Sequence, residues 1–139
     1  MVEDLGRVGK REGKGFYDYP EGGKKHLWKD LAAHFPQLPE EEQPSVDEVI
    51  KRLIFIQSVE TARCLEENVV TTPEDADVGS ILGWGFAPSR GGAISQIHTT
   101  GVATFVSECD RLAQAYGARF TPPQLLRGMA EKGEQFYTA

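Results

Sequence analysis

Few residues in this 139-residue sequence have the type and spacing to do chemistry. The histidines His26, His34 and His98 are far apart, and no two stand four residues apart on one helix face, the spacing of a helical zinc site. Cys64 and Cys109 have no CxxC partner, so they form either one disulfide or, the ordinary reading, two buried thiols in a reducing compartment. Ser95 lies three residues before His98 but lacks the Gly-x-Ser-x-Gly elbow that would make it a nucleophile. Glu40-Glu41-Glu42 and Glu66-Glu67 read as solvated acidic faces.

Two glycine-rich runs invite a phosphate. Gly9-Lys10-Arg11-Glu12-Gly13-Lys14 fails the P-loop pattern, since Val8 stands where the first Gly belongs and Gly15 where a Mg²⁺-binding hydroxyl is needed. It reads as a basic turn, with the alternative that Arg7, Lys10, Arg11 and Lys14 attract a phosphorylated ligand such as coenzyme A. Gly83-Trp84-Gly85 lacks a preceding strand and a third Gly, so it is not a dinucleotide fingerprint. It reads as a tight turn packing Trp84 and Phe86, or as the wall of an apolar pocket.

These residues must be positioned by one chain of ordinary domain size, 40% hydrophobic and 26% charged. Fifteen Lys and Arg against 21 Asp and Glu give a net charge of −6 and argue against a nucleic-acid partner. No apolar run approaches the roughly 18 residues that span a bilayer, and Met1-Val2-Glu3-Asp4 is no signal peptide. A cytoplasmic location is the expectation.

The patterning is helical. Met1 to Gly6 reads as a last helical turn closed by Gly6, as if cut from a longer polypeptide. Residues 24–35 place Leu27, Trp28, Leu31, Ala32 and Phe35 on one helical face. Ser45-Val46-Asp47-Glu48 is a capping box opening a helix to about Asn68. The middle of that helix, Leu53 to Ile56, is apolar nearly all round, which calls for burial among neighbours or at a contact. Thr72-Pro73-Glu74-Asp75 opens a helix ending near Gly83, Gly91-Gly92 a short one, Val102 one to Tyr116, and Thr121-Pro122-Pro123 one ended by Gly133. The expected fold is all-α, an orthogonal bundle of five or six helices with no sheet of consequence.

Four blocks, taken together, resemble one family. Leu5-Gly6-Arg7-x-Gly9-Lys10-x-x-Gly13-Lys14-Gly15-Phe16-Tyr17-Asp18-Tyr19 is similar to that family's LGR-x-GRK-x-GKGFYDY segment. The others are Arg63-Cys64-Leu65-Glu66-Glu67 with Thr72 to Asp77, Gly83 to Gly92, and Arg119 to Pro123 with Lys132-Gly133-x-x-Phe136-Tyr137. The chain thereby resembles the C-terminal end of the multifunctional fatty-acid oxidation protein, which joins an enoyl-CoA hydratase to an NAD-dependent L-3-hydroxyacyl-CoA dehydrogenase. The resemblance implies the tail of a first helical repeat in residues 1–20, a linker with a short helix in 21–44 and a second repeat in 45–139. It places the NAD-binding domain, the catalytic His–Glu pair and the hydratase acids upstream, leaving no catalytic residue, cofactor or metal site in this chain. It implies an acyl-CoA substrate and upstream dehydrogenase domains as partners; a thiolase partner and a homodimer of this segment stay open. Some relatives contact substrate through a Tyr just before the Gly of the third block; here that position is Leu82, so Leu82 and Trp84 are the expected acyl-CoA-cleft residues. The rival reading is a free-standing helical module that binds a protein or acyl-CoA without catalysis.

Overall fold

The structure, a computed structural model, describes residues 1–138. The chain divides into two compact units, Met1–Gln43 and Pro44–Ala139.

The first unit opens with α1 (Val2–Leu5), closed by Gly6 in the left-handed region at φ 58°, as its sequence suggests. The helix expected over residues 24–35 does not form. Instead β1 (Tyr17–Asp18) pairs antiparallel with β2 (His26–Leu27), Tyr17 opposite Leu27. The Trp28 amide extends the hairpin by donating to the Phe16 carbonyl at 2.9 Å. Only one helical turn remains, α2 (Leu31–His34). Backbone pairing with a segment ten residues away claims the amides that a helix over 24–30 would use. The apolar residues still gather, Phe16 against Phe35 and Trp28 against His34.

The second unit is helical. α3 (Val46–Glu66) starts as the capping box requires, the Ser45 hydroxyl accepting from the Glu48 amide at 3.2 Å. α4 (Pro73–Trp84) is capped by Thr72 and stops at Gly85 in the left-handed region, φ 79°. α5 (Ala93–Thr100), α6 (Val102–Tyr116) and α7 (Gln124–Lys132) follow. α5 packs on α3 and α4, and α6 on α7. The stripe Val102, Phe105, Cys109 and Leu112 of α6 is sealed against Val59, Ala62, Ile94 and Ile97, and the Phe55 ring stacks on Phe105 at 4.4 Å. Lys51 and Arg111 clamp Glu108 at 2.8 and 2.7 Å, and Arg111 reaches Glu48 at 2.8 Å, tying α3 to α6.

The all-α reading stands; the one sheet among the described residues is the short hairpin. The apolar middle of α3 is covered on one side only. Phe55 is buried, yet Leu53 is 59% exposed, and Val46, Val49 and Ile50 also face outward.

Candidate functional site

A groove of about 560 Å³ lies between α3 and α4 of the helical unit. α3 contributes Gln57, Glu60, Thr61 and Cys64, the connection contributes Val70, and α4 contributes Asp75, Ala76, Gly79, Gly83 and Trp84. A short connection joins the two helices, and Gln57 and Cys64 of α3 line the groove together with Ala76 and Trp84 of α4. Trp84 Nε1 donates to Gln57 Oε1 at 3.0 Å across the gap. The Gln57 amide donates to the Leu53 carbonyl at 2.7 Å and the Thr61 hydroxyl to the Gln57 carbonyl at 2.9 Å. At the rim, Glu60 pairs with Arg63, and Asp75 accepts from the Thr72 hydroxyl at 2.8 Å. Each polar side chain of the wall has a partner, and what faces the groove is carbon and one thiol.

Gly79 and Gly83 form its α4 side. A Cβ at either would meet nothing within 4 Å, and neither has a positive φ. Glycine in a helix interior is less favourable than alanine by about 1 kcal/mol, and no packing within the unit asks for it here.

A second cluster, which the spacing did not reveal, centres on Asp77, 6% exposed. Its carboxylate accepts from the Ile94 amide (2.7 Å), the Ser95 amide (3.0 Å), the Ser95 hydroxyl (2.5 Å) and the Tyr137 hydroxyl (2.7 Å). It thereby supplies the cap that Gly92 cannot give α5. Burial, and then the bond to Asp77, holds the Tyr137 hydroxyl well above its ordinary pKa. Ser95 is engaged with Asp77 and not with His98, whose Nδ1 is buried without a partner while its ring meets Tyr137 edge-on. The arrangement holds α4, α5 and the C-terminal segment together; it is not a nucleophile with its base. An acidic residue beside Ala76, three before the buried Ser80, was the available signal.

The remaining sequence candidates are dispersed. Leu82 is 82% exposed and lies outside the groove, whereas Trp84 lines it. Arg7 is committed locally: it bonds the Gly15 carbonyl and Asp18, and its guanidinium lies 4.2 Å from the Trp28 ring centroid. Arg7 therefore braces the hairpin, and its hydrogen bond holds the Asp18 carboxyl below its usual pKa. His26 stands 3.8 Å from Asp18. Both cysteines are free; Cys109 is buried, and burial pushes its thiol up to about 12. No group of three metal-binding side chains occurs among the described residues, and no described helix is long and apolar enough to cross a membrane.

Neither glycine run has the geometry of a dinucleotide-binding turn. A dinucleotide's pyrophosphate sits where a parallel strand turns through glycines into a helix. Gly83 instead lies within α4 and Gly85 closes it, while Gly9 and Gly13 flank a turn joined to an antiparallel hairpin.

The helical arrangement has a solved counterpart. FadB2 of M. tuberculosis superposes with a TM-score of 0.57 at 23% identity, over 66% of this chain and 33% of that one. The likeness shows a shared fold over that part of the chain.

Sequence relatives are more specific. The chain is 40% identical over 137 residues to the fatty acid oxidation complex subunit alpha of Acinetobacter baylyi, covering 94% of this chain and 19% of that protein. The subunit of Pseudomonas savastanoi is 40% identical over 136 residues, and that of Pseudomonas paraeruginosa 37% over 142 residues, or 99% of this chain. No protein-family model matches. The chain spans about a fifth of the length of these relatives, and the resemblance carried by the four motif blocks is borne out. A match of this extent fits one domain of a longer protein.

Proposed function

We propose that this chain is the helical C-terminal region of an NAD-dependent L-3-hydroxyacyl-CoA dehydrogenase acting in fatty-acid oxidation, fused in the complete protein to an enoyl-CoA hydratase. The observation that carries the reading is the match of nearly the whole chain to one fifth of the fatty acid oxidation alpha subunits. The apolar face left open on α3 supports it, since Val46, Ile50 and Leu53 would be covered by upstream helical domains.

In the complete enzyme, upstream residues would hold NAD, which when bound would supply the acceptor for the hydride of the 3-hydroxyl carbon. This chain's share is orientation and enclosure. Residues 1–20 are the tail of a first repeat and residues 45–139 the second. Leu82 and Trp84 face the acyl-CoA cleft. The exposure of Leu82, an apolar side chain with no cover of its own, supports that placement. The enzyme is cytoplasmic, and a thiolase subunit or a second copy of the chain is a further partner.

The test is a comparison of two proteins. The longer polypeptide that contains this sequence should reduce NAD when given an L-3-hydroxyacyl-CoA, and the 139-residue chain should not. Turnover by the isolated chain in proportion to its concentration would overturn the proposal, as would a longer polypeptide inert toward every chain length.

A further inference from the structure

We propose that the cleft on the open side of α3, flanked by Arg52 and Arg119, docks a helix of the upstream polypeptide that carries a carboxylate among apolar residues. The occupant's origin rests on the reading above; the demand for a carboxylate comes from the cleft itself.

The cleft, of about 220 Å³, is lined by Val49, Arg52, Leu53, Ile56, Arg119 and Phe120. Its cations stand apart from the others of the helical unit. Lys51, Arg63, Arg111 and Arg127 each pair with a carboxylate, and Arg90 bonds Gln96. Arg52, Arg119 and Lys132 make no ion pair among the described residues, although acids outnumber bases in this unit, and the first two share one cleft. Both are also held in place. The Arg52 guanidinium lies 4.1 Å from the Tyr116 ring centroid and that of Arg119 5.3 Å from the Phe120 centroid, while Arg63 donates to the Arg119 carbonyl at 3.2 Å. A guanidinium lying over a ring keeps its N–H fork available, and the fork matches a carboxylate.

This arrangement separates the possible occupants. The outward stripe Val46, Val49, Ile50 and Leu53 has the three- and four-residue spacing on which another helix packs. A wholly apolar helix would strip water from two guanidiniums and give nothing back. A second copy would bring the same two arginines to the contact, and on α3 Glu48 and Glu60 are already engaged by Arg111 and Arg63. The cleft is smaller than the roughly 300–1,000 Å³ of small-molecule sites. A helix with a carboxylate between its apolar residues satisfies the stripe and the arginines together. The relatives are long enough to supply it, since this chain spans only 19% of the first of them.

The test uses the longer polypeptide. Arg52→Lys puts an amine where the guanidinium was, and a carbodiimide joins an amine to a carboxylate in direct contact without a spacer. Peptide mass spectrometry should find that amine linked to an Asp or Glu upstream of Met1; should the variant not fold, Arg119→Lys carries the same comparison. Arg52→Gln should speed amide exchange from Val49 to Ile56 about tenfold in the longer polypeptide, and by less than about twofold in the isolated chain.

A link to an acid of this chain such as Asp47, a link between copies in mixed 14N and 15N protein, or no link at all would overturn the proposal. So would unchanged exchange in the longer polypeptide. A longer polypeptide that forms the link but does not reduce NAD defeats the dehydrogenase reading alone; one that reduces NAD without the link defeats the docking alone.

Discussion

Replacing Asp77 with alanine should come close to unfolding the helical unit. The carboxylate is 6% exposed and is the shared acceptor for two backbone amides and two hydroxyls. Losing a helix cap costs about 1 kcal/mol, and a hydrogen bond to a charged group is worth about 1.5–3 kcal/mol. Because the bonds share one acceptor and water enters the space left behind, these do not add in full; a total of about 4 kcal/mol is expected. A domain of about a hundred residues loses roughly 4–8 °C per kcal/mol, so the melting temperature should fall by about 15–30 °C. Asp77→Asn keeps one acceptor oxygen for the amides and should lose about 1.5 kcal/mol, and Tyr137→Phe about 1 kcal/mol. Urea unfolding followed by circular dichroism gives each value. The double variant Asp77→Asn/Tyr137→Phe should show a coupling of about 1 kcal/mol. Hydrogen exchange at the Ile94 and Ser95 amides should accelerate in Asp77→Ala more than elsewhere in α5. An Asp77→Ala protein within about 1 kcal/mol of the parent, or a coupling of zero, would refute the reasoning, because a buried carboxylate with four donors cannot be removed cheaply.

Gly92→Ala should destabilise the unit by about 3 kcal/mol by urea titration, since its Cβ would clash with the Asp77 carboxylate in a backbone held at φ 122°. Glu108 is held at about 2, below its ordinary value of 4.5, by the hydrogen bond from Arg111 first and by Lys51, against the opposing effect of burial. Its folded pKa lies below the unfolded one, so its contribution is complete above about pH 4.5 and is lost as pH falls toward 2. After allowance for screening this is about 1–2 kcal/mol, and Arg111→Met should flatten that part of the stability–pH curve. Leu82→Asp should leave the isolated chain's stability unchanged within about 0.5 kcal/mol, the site being exposed. In the longer polypeptide, the proposed cleft position predicts that the same change lowers dehydrogenase kcat/KM about tenfold or more through a desolvated carboxylate; unchanged kinetics would refute that proposal.

The helices were legible where the signal was local. Ser45 with Glu48 and Thr72 with Pro73 name the starts of α3 and α4 from side chains within four residues of the cap, and the α6 stripe names its own buried face. The end of α4 was less so: Gly83 looks like a stop, but the left-handed turn falls at Gly85, since a glycine breaks a helix only where the chain turns. The hairpin was missed because an apolar spacing that fits a helix says nothing about a partner strand ten residues away. Asp77 was passed over for the same reason at longer range, its partners lying 17, 18 and 60 residues on. The groove is a property of how α3 and α4 pack. From sequence, Gly79 and Gly83 only weaken a helix; in the structure they leave space.

The two thiols differ in their access to solvent. Cys64 borders the groove, while Cys109 is sealed in the core with its proton held to about 12. An alkylating reagent should therefore tag Cys64 promptly and reach Cys109 only when the bundle comes apart. The slow second modification then works as a stopwatch for whole-unit opening in the unperturbed chain, without denaturant, and the fast one as a report on whether the groove is filled.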